Sequence, residues 1–157
     1  MNENLESLND LIEIIKRDIS LNQKLKYMDN ILINYVGKDY MNYVNFDDNN
    51  YKRNLVYKDD FFDVYIICWN NNQKSEIHDH PENGCLLKIL EGELIEKRYV
   101  KRDDKMIKIG RNFLKNSNIS YMEGKKVLHC IKNGDSKTIS LHIYSPPNYK
   151  PKKFKKN

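Results

Sequence analysis

The stretch Ile77-His78-Asp79-His80-Pro81-Glu82-Asn83-Gly84-Cys85-Leu86-Leu87-Lys88-Ile89-Leu90-Glu91-Gly92 decides how the chain is read. Its apolar run has the length of a buried strand and stops at a turn signal, Glu91-Gly92. This predicts a strand over 85–90 and a tight hairpin after it. Upstream, His78 and His80 stand two residues apart. In an extended chain alternate side chains share a face, so both imidazoles can reach one ion. Imidazole is the commonest protein ligand to transition metals. Paired histidines also occur on surfaces, so the pair needs support from elsewhere in the chain.

Working outward, the chain beyond residue 51 continues in short runs rich in Val, Ile, Tyr and Phe. They fall at 61–69, 93–100, 105–109, 119–122, 127–131 and 138–144, separated by turn signals such as Asp103-Asp104, Glu123-Gly124 and Asn133-Gly134-Asp135. That is the pattern of an all-β barrel or sandwich. Before it, Leu8, Leu11, Ile12, Ile15 and Ile19 recur at helical spacing. A second helix is expected around 25–35, ended by Gly37. With 157 residues the chain is expected to form a single domain over 1–149 with an N-terminal helical segment.

The net charge of +5 is local: five lysines lie in 150–157, and the remaining basic residues balance the 22 acidic ones. Residues 150–157 are therefore expected to be a disordered, dispensable tail, and nucleic-acid binding is not expected. No apolar run is long enough to span a membrane, and the polar, acidic start does not read as a secretory signal. A cytoplasmic monomer is expected. Cys68, Cys85 and Cys130 show no metal-type spacing, and a disulfide framework is not expected at this length.

The quoted stretch resembles the first cupin motif, in which HxH is followed by Glu and then Gly; here Cys85 holds the Glu position. His129, in the apolar run Val127-Leu128-His129-Cys130-Ile131, matches the histidine of the second motif. Alone, such a histidine reads as a core residue; beside HxH it reads as a third ligand. The fold class implied is mainly β, a cupin (double-stranded β-helix, jelly-roll-like) barrel with N-terminal α-helices. Three neutral imidazoles without a carboxylate would leave the metal its full charge and open positions, suited to an anionic thiolate. In the last strand, period two puts Ser140, His142 and Tyr144 on one face and Ile139, Leu141 and Ile143 on the other. The polar row faces either solvent or a site.

Together these pieces resemble cysteine dioxygenase over residues 5–149. The matching stretches are Tyr51-Lys52-Arg53-Asn54-Leu55-Val56, Cys68-Trp69, Ile77 to His80, Cys85 to Lys88, Leu128-His129 and Ser140-Leu141-His142-Ile143-Tyr144-Ser145-Pro146-Pro147. The resemblance implies oxidation of L-cysteine by O2 to cysteine sulfinate, with one Fe(II) per chain and no organic cofactor. It implies His78, His80 and His129 as the iron ligands, Arg53 as the carboxylate clamp with Tyr51 and His142, and Tyr144 beside the iron. Trp69 and Ser140 would support that row. Cys85 and Tyr144 are the pair joined by a thioether bond in many members. Gly84 departs from animal relatives, which often carry a bulkier residue. Two alternatives stay open: a dioxygenase for another small thiol such as 3-mercaptopropionate, whose relatives tend to carry Gln in place of Arg53, and a non-catalytic metal- or ligand-binding cupin.

Overall fold

A computed structural model describes residues 3–156. Helix α1 (Leu8–Ser20) starts at Ser7, whose hydroxyl caps the Asp10 amide. A single 3₁₀ turn (Leu25–Tyr27) and the short α2 (Asp29–Ile33) replace the continuous second helix expected, and another 3₁₀ turn covers Asp39–Tyr43. Ten strands follow: β1 (Lys52–Lys58), β2 (Asp63–Trp69), β3 (Ile77–His78), β4 (Cys85–Glu91), β5 (Leu94–Arg102), β6 (Lys105–Leu114), β7 (Ile119–Met122), β8 (Leu128–Asn133), β9 (Thr138–Tyr144) and β10 (Lys153–Phe154). They form two antiparallel sheets, β1-β2-β9-β4-β7 and β10-β3-β8-β5-β6.

The alternation along β2 and β9 sets the layers. Val64, Ile66, Cys68, Ile139, Leu141 and Ile143 point outward under α1 and α2, meeting Leu11, Ile15, Met28 and Leu32. Ile67, Trp69, Leu87 and Ile89 point inward to Leu94, Leu114 and Ile131 of the second sheet. The first sheet is thus buried on both faces. Lys88, on the outward face of β4, is buried and donates to the Leu32, Ile33 and Tyr35 carbonyls at the end of α2. Those are the orphan acceptors of a helix C-terminus, where a cation is favoured. Among the described residues no helix is long and apolar enough to cross a membrane.

Two expectations are corrected here. Glu91-Gly92 makes no hairpin: β4 pairs with β7 and β9, β5 with β6 and β8, so the turn carries the chain from one sheet to the other. Gly92 has φ +83°, and a Cβ there would collide with Thr138. Nor is the whole of 150–157 a loose tail. Lys153 and Phe154 pair with His78 and Ile77, which puts β10 at the edge of the second sheet. The lysine content masked a strand whose pairing partner is remote in sequence.

Candidate metal centre and cavity

Between the sheets lies a cavity lined by residues from both. His78 is the last residue of β3, His80 lies just beyond it, and His129 pairs with His78 across β3 and β8. The HxH pair therefore does not occupy one strand, yet its rings converge. Ligand-capable atoms of the three histidines lie within 4.8 Å of one another. The outer nitrogens are largely accounted for. His78 Nδ1 donates to the Glu76 carbonyl (2.7 Å), and His129 Nδ1 donates to Glu96 Oε1 (2.8 Å). Those bonds fix the tautomers and leave both Nε2 atoms unprotonated, as ligands require. His80 and His129 bring their Nε2 atoms to 2.9 Å, and His80 Nδ1 is buried with no partner among the described residues. Converging imidazole nitrogens in that state fit a bound cation. Burial, then the neighbouring His129, pushes the pKa of His78 down to about 3 and that of His80 lower still, so both rings are neutral at ordinary pH.

Sequence reasoning missed Glu96. Fully buried on β5, it accepts from His129, Ser120 (2.7 Å), Asn112 (2.9 Å) and Arg98 (3.2 Å). Burial alone would raise its pKa; the bond to His129 and the other donors hold it down to about 2. The three histidines converge without a carboxylate among them, as expected, but a buried carboxylate stands one hydrogen bond behind His129. Nothing in Leu94-Ile95-Glu96-Lys97-Arg98 marks this Glu among the exposed charges around it.

The first sheet supplies the opposite wall. The polar row of β9 faces the cavity, because its apolar row is taken by the helices. Trp69 Nε1 donates to Ser140 Oγ (2.9 Å), Ser140 Oγ meets His142 Nε2 (2.8 Å), and His142 Nδ1 meets the Tyr144 hydroxyl (3.2 Å). Burial, then Arg53, lowers the His142 pKa, and burial raises that of Tyr144, so both stay uncharged. Arg53 reaches in from β1 and lies over the rings of Tyr65 (4.3 Å) and Tyr144 (5.0 Å). Tyr51 stacks on Trp69 at 4.5 Å.

Cys85 stands opposite Tyr144 in the β4–β9 register, with its thiol against the Leu86 carbonyl (3.8 Å). It is not part of the histidine cluster. Burial pushes its thiol up to about 12, so it is protonated at ordinary pH. Gly84 has φ +98°, and a Cβ there would strike the Tyr121 ring, which explains glycine at this position in this chain.

The family model described as Cysteine dioxygenase type I matches residues 4–157. "Cysteine dioxygenase type 1" of Danio rerio is 32% identical over 152 residues, covering 90% of this chain and 76% of that protein. The Bos taurus protein of the same name is 36% identical over 111 residues, covering 67% of this chain; the chain spans little more than half of that relative, 56%. Among solved structures, a Klebsiella pneumoniae protein with a double-stranded beta-helix domain superposes with TM-score 0.58 at 18% identity, covering 74% of this chain and 88% of that one. The TT1209 protein of Thermus thermophilus superposes with TM-score 0.57 at 16% identity, covering 70% and 96%. These two likenesses establish the cupin-type fold.

Proposed function

The chain belongs to the cysteine dioxygenase type I family, and from that premise we propose that it oxidises L-cysteine with O2 to cysteine sulfinate, using one ferrous ion held by His78, His80 and His129. The observation that carries this reading is a juxtaposition across one cavity. Three convergent imidazoles face a guanidinium, Arg53, that makes no ion pair among the described residues. A metal store needs no such cation. A substrate carrying both thiol and carboxylate does.

When bound, the iron would supply open coordination positions for the thiolate and dioxygen and the redox capacity to join them. The chain's own residues do the rest. Arg53, held over two phenol rings, presents its planar fork to the substrate carboxylate. Tyr51 and His142 line the same cavity. Because Ser140 accepts from Trp69, its own proton is free to go to His142 Nε2. His142 then carries its proton on Nδ1 toward Tyr144, whose hydroxyl proton is left for the cavity. The phenol would so orient the reacting groups as a neutral donor. Cys85 is the register partner of Tyr144, and we propose the two as partners of a thioether bond, formed with loss of the thiol S–H and one ring C–H hydrogen and the two electrons taken by dioxygen. Both oxygen atoms end on the substrate sulfur, which furnishes all the electrons, so no organic cofactor is required.

The test is oxygen uptake by the iron-loaded protein with L-cysteine, 3-mercaptopropionate and cysteamine, with products identified by mass. Cysteine should be the best substrate and yield the sulfinate. Faster turnover of 3-mercaptopropionate would overturn the substrate assignment. No uptake with any thiol would make the protein a binder.

A further inference from the structure

Two buried carboxylates, Asp79 and Asp63, have no part in the proposed chemistry. Asp79 sits between the two metal-facing histidines, 2% exposed, and its side chain serves the C-terminal segment. Asp79 Oδ1 accepts from the Tyr149 hydroxyl (2.8 Å) and the Lys152 amide (2.7 Å), while its own amide donates to the Lys152 carbonyl (3.1 Å). One residue further, Lys153 pairs with His78. The segment starts from a second buried carboxylate: Asn148, in the left-handed region at φ 61°, donates its amide to Asp63 of the first sheet (2.9 Å). The chain thus crosses from Asp63 on one sheet to Asp79 on the other. Along the way Tyr149, Pro151 and Lys153 line the same cavity as Arg53 and His129.

We propose that Asp79 is a positioning residue that locks residues 149–154 across β3 as a wall of the substrate cavity, so that the segment limits which thiols fit. This rests on the cavity being a thiol dioxygenase site. The physical case is that Phe154 anchors the end of the segment in an apolar cluster with Ile77, Tyr99 and Leu128, while the cavity-lining stretch before it is tied by hydrogen bonds. Here the bonds at the far end converge on one carboxylate that water does not reach. Burial, with the bond to Asp79, pushes the Tyr149 pKa up to about 12, so the phenol remains a donor at ordinary pH. Pro151 adds a fixed φ at the point where the segment passes the cavity.

The experiment uses the full-length iron-loaded protein, Asp79→Ala and Asp79→Asn. Amide hydrogen exchange over 149–154 reads the lock without any thiol. Steady-state kinetics with L-cysteine and with the longer thiol cysteinylglycine read the wall. In Asp79→Ala, exchange of these amides should quicken at least about tenfold while β2, β4 and β9 stay protected. The KM for cysteine should rise about tenfold with kcat within about threefold, and cysteinylglycine should gain relative to cysteine. Asp79→Asn, which keeps an acceptor oxygen, should restore most of both. Unchanged exchange would overturn the lock. Quickened exchange with unmoved KM and thiol preference would overturn the wall. If Asp79→Ala does not fold, Tyr149→Phe removes one of the two side-chain bonds and should shift exchange in the same direction; no shift would count against the lock. A wild-type protein inert toward every thiol would refute the proposed function, while the exchange result would stand on its own.

Discussion

In the first sheet, the strands that aim Arg53, His142 and Tyr144 into the cavity bury their other face under α1 and α2. The second sheet carries His78 and His129, and among the described residues no helix covers it: Lys97 is half-buried, Lys132 and Arg111 are exposed, and Phe113 is 61% exposed. One wall is therefore held by apolar packing from behind. The other has only a small apolar cluster behind it, Ile77, Tyr99 and Leu128 with Phe154, and its imidazoles are held chiefly by polar contacts: the Glu76 carbonyl, the Glu96 carboxylate and the 149–154 segment tied to Asp79. The difference teaches that side chains of one cavity can be fixed by two kinds of force, and substitutions should separate them.

The largest effect should come from the packed side. Leu141→Ala empties a fully buried position between β9 and the helices and should cost about 2–5 kcal/mol in urea unfolding. Metal affinity of the remaining folded protein should change little; a large parallel loss of affinity would break the division. Next comes the polar tie of the helical layer. Lys88→Met leaves three carbonyls at the end of α2 without their shared donor and should cost about 1–3 kcal/mol, again with affinity nearly intact. On the other wall the order should reverse. Glu96→Ala frees the His129 ring and should weaken metal binding about 10–100-fold, seen by competition with a chelator. An unaltered affinity would show that β8 alone orients the ring.

That division also explains what could be read from the sequence. The packed wall is periodic, so α1, most strand positions and the split of β9 into two faces were legible as alternation. The three histidines were legible because few residue types make such ligands. The polar wall was not. Glu96, Asp79 and the β10 pairing depend on contacts between residues far apart in the chain, and a buried Glu or Asp looks like any exposed one until its donors are in place. The expected loose tail was wrong for that same reason. So was the expected Gly92 hairpin: a glycine turn does not reveal whether the next strand pairs with the last or crosses to the other sheet.

The smallest effect is one of pH, and it sharpens the contrast because both walls contribute a buried neutral ring. His80 and His142 have pKa values lowered by burial, so in the metal-free protein the folded state resists their protonation while the unfolded chain takes up protons near its ordinary value of about 6.5. Where the unfolded state binds more protons, stability rises with pH. The sign is therefore fixed: the contribution is complete above about 6.5 and is lost as pH falls below it. Between pH 6.5 and 5.5 each ring should withdraw about 1 kcal/mol, measured by urea unfolding of the metal-free protein. Replacing His142 by Gln should remove one share of that slope and replacing His80 the other. With metal bound, neither share should change in this window: His80 is already unprotonated in the metal-free folded state, and the two nitrogens of His142 are engaged by Ser140 and Tyr144.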